Sequence, residues 1–268
     1  MNIDPFHVAA LIDEIANAEI APRFGALADG AVRTKAGPND FVTEADEAAE
    51  AALKKALGAL RPDAVFVGEE SAAADPSLDA SLGGSSAYWI VDPLDGTRNF
   101  VQGVREFATI VAFAEGGRTR MGWIYAIPER SCAIAIEGEG VSWEGARVSP
   151  PAPLQKPSGL RSVGWLSREW RDRLAPNLRA KLETRPARCS AYAYLSLMRG
   201  DADFAIHSKV QAWDHAAGAL LMSEIGGRTA FLDDGSAYGP APTANRPLLA
   251  AASVKRWEDV RAALLDKP

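Results

Sequence analysis

The segment Trp89-Ile90-Val91-Asp92-Pro93-Leu94-Asp95-Gly96-Thr97-Arg98-Asn99-Phe100 ends an apolar run in two carboxylates three residues apart, a spacing that suits a clamp on a hard cation. Aromatic and β-branched residues through Val91 favour a buried strand. Pro93 fixes φ and removes a ladder donor, so the chain is expected to leave the sheet with Asp92 at the strand tip. The turn can aim the Leu94 carbonyl and the Asp95 carboxylate at an ion held by Asp92, while Gly96 lets backbone approach a ligand closely and Thr97 offers a hydroxyl. Donors that are all oxygen suit Mg²⁺, with Mn²⁺ as a substitute. Alone, Asp-Pro-x-Asp-Gly also describes a solvated turn. A metal site needs further carboxylates from elsewhere in the chain.

Three other acidic segments supply candidates. Val65-Phe66-Val67-Gly68-Glu69-Glu70-Ser71 repeats the strand-then-carboxylate design and offers Glu69. Trp213-Asp214-His215-Ala216-Ala217-Gly218 opens a helical run with Ala217, Leu220, Leu221 and Ile225 at helical spacing, stopped by Gly226-Gly227. Asp214 stands at that helix start, where a carboxylate also serves as an N-cap. Asp40-Phe41-Val42-Thr43-Glu44-Ala45-Asp46 sets Thr43 and Asp46 at capping-box spacing before an alanine-rich helix.

Together the four segments resemble the inositol monophosphatase family, the metal-dependent and lithium-sensitive type of sugar and polyol phosphatases. Its motifs read D-x-V-T-x-x-D, G-E-E, W-I-V-D-P-L-D-G-T-x-N-F and W-D-x-A-A-G, and all four stand here in the family's order and spacing, from about Lys35 to the last helix. The resemblance implies an α/β fold, a layered αβαβα sandwich, and a phosphoric monoester hydrolase. It also implies a homodimer.

Phosphate monoesters resist hydrolysis because the nucleophile approaches a dianion and the leaving alkoxide is poor. Two cations about 3.5 to 4 Å apart help at both ends, one by lowering the pKa of a bound water and the other by stabilising the departing oxygen. No protein nucleophile is then required. The resemblance implies two or three Mg²⁺ ions: Glu69, Asp92 and the Leu94 carbonyl hold one, and Asp92, Asp95 and Asp214 hold another, with Asp92 bridging. Thr97 and Asp46 look like the pair that orients and deprotonates the attacking water, with Glu69 close by. The Gly96 and Thr97 amides are placed to bind phosphate oxygens, beside Asp95. Lys35 aligns with a lysine often found near this site.

The substrate wall departs from the family's inositol-cleaving members. These commonly carry a Glu seven residues before the Asp of W-D, where this chain has His207, followed by Ser208, Lys209 and Gln211. Their G-S/T-A-A segment is replaced by Arg188-Cys189-Ser190-Ala191-Tyr192, a bulkier and more basic wall. Ser190 and His207 are then expected to face the substrate. Such a wall suits histidinol phosphate or another small phosphomonoester as well as a cyclitol phosphate. A nucleotide 3′-phosphate fits less well, because nucleotide-directed relatives usually depart from T-x-N-F after the D-G. A fold retained for binding or regulation is the alternative of a different class. It has no need for six such residues together, since clustered carboxylates without a cation repel.

Composition agrees with a small-molecule enzyme. The 268 residues, 47% hydrophobic and 24% charged, are enough to bury a large core as one domain with halves of about 1–150 and 151–268. A net charge of −6 without a Lys/Arg block argues against nucleic-acid or membrane-surface binding. The start Met1-Asn2-Ile3-Asp4 lacks a basic, apolar leader, so the chain is expected in the cytoplasm. Two cysteines, Cys132 and Cys189, read as buried free thiols.

These residues need elements to position them. Asp4-Pro5 starts a helix that buries Val8, Leu11, Ile15 and Ala18 and ends at Pro22 and Gly25. A strand over 31–35 follows, then a helix over 44–60, strands over 64–68 and 88–92 with a mobile loop at Gly83-Gly84-Ser85-Ser86 between them, and an antiparallel meander over 107–114, 121–126 and 132–136. The Pro-rich stretch at 150–157 marks the seam between halves. Beyond it come strands over 160–164, 184–188, 203–206 and 248–252, and helices over 168–174, 191–199, from Asp214, and over 254–265.

Overall fold

The computed structural model describes residues 3–26, 32–34, 41–243 and 246–266. The Asp4 side chain caps helix α1 (Pro5–Ile15), accepting from the Phe6 and His7 amides, and the helix continues as a π-helical segment, Ala16–Ile20. Strands β1 (Val32–Thr34) and β2 (Phe41–Thr43) pair antiparallel ahead of α2 (Glu44–Leu60). Then follow β3 (Val65–Gly68), the short helices α3 (Glu69–Ala74) and α4 (Ser77–Ser81), β4 (Ala87–Asp95) and α5 (Thr97–Val101). Strands β5 (Ala108–Glu115), β6 (Arg118–Ala126), β7 (Ser131–Ile136), β8 (Gly140–Trp143) and β9 (Ala146–Arg147) complete a seven-stranded sheet in chain order from β3, with only β3 and β4 parallel.

The rest of the chain supplies β10 (Ser158–Ser162), α6 (Arg168–Lys181), β11 (Glu183–Pro186), α7 (Ser190–Arg199), β12 (Phe204–His207), α8 (Ala212–Glu224), β13 (Arg228–Phe231), β14 (Leu248–Ala251) and α9 (Val254–Leu265). Its five-stranded sheet runs β11-β10-β12-β14-β13. The first two pairings are parallel and the last two antiparallel.

Strand alternation sets the layers, because successive side chains face opposite sides of a sheet. Trp89, Val91, Val111, Phe113 and Trp123 pack against α1 and α2. Their neighbours Ile90, Ile110, Ala112 and Ile124 face α7 and α8, which also cover Leu160, Ala205 and Ala250 of the second sheet. Phe204, Ile206 and Leu249 face the other way, under Leu174 of α6 and Trp257 and Leu264 of α9. This is the αβαβα order that the resemblance implies. No described helix is long and apolar enough to cross a membrane.

Several local expectations need correction. Helix α1 buries Val8 and Ile12, and the π-helical segment buries Ala16 and Ile20; Leu11 and Ile15 are half-buried and Ala18 is exposed. The buried stripe follows steps of four, Val8, Ile12, Ala16 and Ile20, and runs on through the π-helical segment. Pro93 does not end β4: Asp92 faces Ile110 and Asp95 faces Ala108, with a bulge between. The Thr109 hydroxyl donates to the Pro93 carbonyl at 2.8 Å, holding the bulge to the neighbouring strand. Helix α6 runs through Pro176 to Lys181, where Asn177 ties it to α9 through the Leu264 carbonyl at 3.0 Å. Short elements α3, α4, α5, β8, β9 and β13 carry too little periodicity to be read from sequence. Cys132 and Cys189 are both free thiols, half-buried.

Candidate metal centre

The bulge in β4 turns both of its carboxylates toward one cavity. The Asp92 carboxylate folds back over it, accepting the Leu94 amide at 3.0 Å. Asp214 enters from the first turn of α8. One carboxylate oxygen from each of Asp92, Asp95 and Asp214 lies within 4.8 Å of the others. Asp92 is only 2% exposed, and burial, then the charges of Glu69, Asp95 and Asp214, push its carboxyl well above the usual carboxylate range. Glu69, from the first turn of α3, lines the same cavity. A set of converging oxygens whose ionisation is mutually suppressed fits a hard divalent cation, which relieves the repulsion that forces protons onto the cluster.

Asp95 has a second partner. Its Oδ1 accepts the Ser190 amide at 3.2 Å and its Oδ2 the Ala191 amide at 2.6 Å, so it caps the start of α7. Burial raises its pKa and these amides pull it back. Ser190 lines the cavity, with its amide held by Asp95.

Thr97 and Asp46 meet as a pair. Thr97 Oγ1 lies 2.9 Å from Asp46 Oδ1 and 2.9 Å from the Leu94 carbonyl. The other Asp46 oxygen accepts the Thr43 amide at 2.8 Å and the Thr43 hydroxyl at 2.6 Å, so the capping box aims Asp46 at Thr97. Burial raises the Asp46 carboxyl to about 6 against three hydrogen bonds that lower it. Gly96 sits at φ +90°, where a β-carbon would also press on the Glu106 carbonyl; this turn starts α5 and brings the Thr97 side chain round to Asp46.

Glu50 is a residue that the sequence reading missed. Buried on α2, it accepts the Glu70 and Ser71 amides, each at 2.8 Å, and the Ser71 hydroxyl, holding the turn that presents Glu69. A glutamate on a helix gives no local sign of capping another helix, so no signal in the sequence marked it.

The cavity measures about 250 Å³. Beyond the carboxylates, Gly96 and Thr97, its walls include Arg98, Ser162, Trp165, Arg188, Cys189, His207 and Lys209. Ser162 and Trp165 were also missed, since neither lies in a recognisable motif. The indole of Trp165 is 60% exposed, with Lys209 Nζ 5.8 Å from the ring centre. The expected basic character of the wall is corrected in two places. His207 is 2% exposed at the end of β12, and burial with His215 alongside drives its pKa well below 6.5, so it is neutral. Arg188 is paired with Glu106 at 3.3 Å. Tyr192 faces a different cavity, one lined by Arg185 and Arg199, because one helical step beyond Ala191 turns its side chain away from Asp95. Lys35 and Asp40 lie outside the described residues.

The sequence profile of the inositol monophosphatase family matches residues 5–267. The histidinol-phosphatase of Mycobacterium tuberculosis is 33% identical over 250 residues, 87% of this chain and 89% of that one. Nus factor SuhB of Pasteurella multocida is 29% identical over 210 residues, 75% of each chain. In fold, the chain is similar to an IMPase/NADP phosphatase solved with Mg²⁺ and phosphate, at a TM-score of 0.81 over 98% of this chain and 94% of that one with 20% identity.

Proposed function

This chain belongs to the inositol monophosphatase family, whose members are phosphoric monoester hydrolases, and we propose that it hydrolyses a small phosphorylated metabolite by direct attack of water, dependent on Mg²⁺. The observation that carries the reading is the convergence of Asp92, Asp95 and Asp214 beside an assembled Asp46–Thr97 pair. In this reading Glu69, Asp92, the Leu94 carbonyl, Asp95 and Asp214 would hold two or three ions. Bound Mg²⁺ supplies an acidified water and neutralises charge on the phosphoryl and leaving oxygens.

The protein's own residues supply the proton path. A threonine hydroxyl has one proton, and Thr97 has two acceptors for it, Asp46 Oδ1 and the Leu94 carbonyl. Were the Leu94 carbonyl to hold a cation, the hydroxyl would donate to Asp46 and its lone pairs would be free to accept from the attacking water. Asp46, with a pKa of about 6, is ionised near neutrality and basic enough to take that proton. The Gly96 and Thr97 amides, at the turn into α5, face the phosphate.

Ser190 and His207 are placed against the alcohol half of the substrate. A neutral His207 in place of a carboxylate removes the acceptor that would select inositol hydroxyls, so inositol 1-phosphate is not strongly preferred. Histidinol phosphate is the first substrate to try, on two grounds: the M. tuberculosis relative is named for it, and the exposed indole of Trp165 offers a ring a stacking face at the cavity mouth. A single-domain homodimer in the cytoplasm belongs to the same proposal.

The test is a panel of inositol 1-phosphate, histidinol phosphate, fructose 1,6-bisphosphate and adenosine 3′,5′-bisphosphate, with Mg²⁺ and with EDTA. Mg²⁺-dependent phosphate release from at least one member is expected. Release from none, or release that survives EDTA, would overturn the reading. A preference for inositol 1-phosphate of about a hundredfold would overturn the assignment of the wall.

A further inference from the structure

Behind the cavity lies a group of buried rings that the hydrolytic reading does not use. His215, on α8 next to Asp214, is fully buried. Its Nε2 lies 2.9 Å from the Lys209 carbonyl and its Nδ1 lies 3.1 Å from Tyr194 Oη. A carbonyl only accepts, so Nε2 must carry a proton. A neutral imidazole has one N–H, so Nδ1 accepts and the Tyr194 hydroxyl donates to it. One arrangement of protons satisfies both bonds, and it fixes the tautomer.

The same two residues clamp His207. Its ring stacks on Tyr194, with centroids 5.6 Å apart and planes 15° apart, and meets the His215 ring edge-on at 4.7 Å. His207 lines the cavity, and its buried Nε2 has no partner among the described residues. Tyr194 is itself fixed from below: a β-carbon on Gly218 would fall inside its ring, so the glycine of Trp-Asp-x-Ala-Ala-Gly makes the space Tyr194 occupies. Residues 208–210 join β12 to α8, and His215 holds them through the Lys209 carbonyl.

We propose that His215 and Tyr194 are positioning residues which preset the wall facing the alcohol half of the substrate, by locking the His207 ring and the Lys209 segment in one arrangement. This rests on the phosphatase reading above and deepens it. The Nε2 of His207 is closed off and has no partner among the described residues, so the setting of the ring that lines the cavity depends on its packing against Tyr194 and His215. The phosphate end is held mainly from β4, α3 and α5, with Asp214 alone entering from α8, so a loosened His207 ring and Lys209 segment are felt first by the alcohol.

The experiment compares wild type, Tyr194→Phe, His215→Phe and His215→Gln on two substrates: 4-nitrophenyl phosphate, and whichever of histidinol phosphate and inositol 1-phosphate wild type hydrolyses better. Tyr194→Phe keeps the ring that stacks on His207 and removes only the hydroxyl. For it and for His215→Phe, kcat/KM on the hydrogen-bonding substrate should fall about tenfold, through KM. On 4-nitrophenyl phosphate it should stay within about twofold, with unchanged Mg²⁺ dependence. His215→Gln keeps a donor for the Lys209 carbonyl and should recover most of the loss. Nitrogen NMR of wild type should show His215 protonated on Nε2. Equal losses on both substrates, a raised Mg²⁺ requirement, no loss in Tyr194→Phe, or a proton on Nδ1 would each overturn the proposal. Should His215→Phe fail to fold, Tyr194→Phe and the NMR decide it. Wild type inactive on every ester would instead be a failure of the phosphatase reading.

Discussion

Asp95 Oδ2 accepts the Ala191 amide at 2.6 Å, so a carboxylate at the end of β4 caps a helix that begins almost a hundred residues later. The candidate ion site and the first turn of α7 therefore share one side chain. Asp92, three residues earlier, has no amide partner on α7; it accepts the Leu94 amide and otherwise faces its neighbouring carboxylates.

Replacing Asp95 should separate its two tasks. Asp95→Ala removes both the cap and the ligand, and should cost about 1 kcal/mol from the cap, or about 2–4 °C in Tm. Asp95→Asn keeps an acceptor oxygen for α7 and should recover much of that stability, while both variants lose phosphatase activity. Thermal melts and steady-state kinetics read the two effects, and equal Tm losses in the two variants would argue against the cap.

Asp92→Asn should abolish turnover, with a loss beyond the roughly 10–100-fold typical of residues behind a metal ligand. It should also raise the melting temperature of the metal-free protein, because the amide needs neither a charge buried against Glu69, Asp95 and Asp214 nor the proton taken up to avoid one. Wild type should gain stability with Mg²⁺ by mass action, and the variant should gain less. Turnover above a tenth of wild type at saturating Mg²⁺ would exclude a shared ligand.

Between pH 7.5 and pH 5 the metal-free wild type should gain Tm relative to Asp46→Asn, a comparison that cancels the opposite pull of the buried His207 and His215, whose lowered values favour high pH. Asp46 rises from 3.8 to about 6 on folding, and Asp92 is raised as well. A raised folded value means the native state binds the proton more tightly. That stabilisation is full below the unfolded value and is lost as pH rises through the folded one, about 6 for Asp46. Saturating Mg²⁺ competes with protons on the cluster and should narrow the difference, while kcat/KM should fall below about pH 6 as Asp46 becomes protonated. A Tm difference between metal-free wild type and Asp46→Asn that does not move in favour of wild type from pH 7.5 to pH 5 would contradict the Asp46 shift.

Glu50→Ala should raise the Mg²⁺ concentration needed for half-maximal activity by about tenfold, the scale of a lost supporting contact. The Glu70 and Ser71 amides lose their acceptor and the turn presenting Glu69 is freed. At saturating Mg²⁺, kcat should be recovered for the most part. An unchanged Mg²⁺ titration would mean that the turn is held by other contacts.

By itself the sequence determined the carboxylate-bearing segments and those elements whose signals are local, and the order of layers came from the family resemblance that those segments carry. Thr43 with Asp46 marks the start of α2, and α2 and α9 have the bounds expected of them, 44–60 and 254–265. What lies between neighbours a few residues apart is written in the chain, because caps and periodicity act over one or two turns. Only the tertiary structure decided the rest. Pro93 stays in the sheet because Thr109 on the adjacent strand donates to its carbonyl; Glu50 and Asp95 cap helices far from them in sequence; and His207 is neutral because Tyr194 and His215 close around it. Each depends on which buried polar group finds a partner across a packed interface. That choice is set by the geometry with which layers meet, and no local pattern records it.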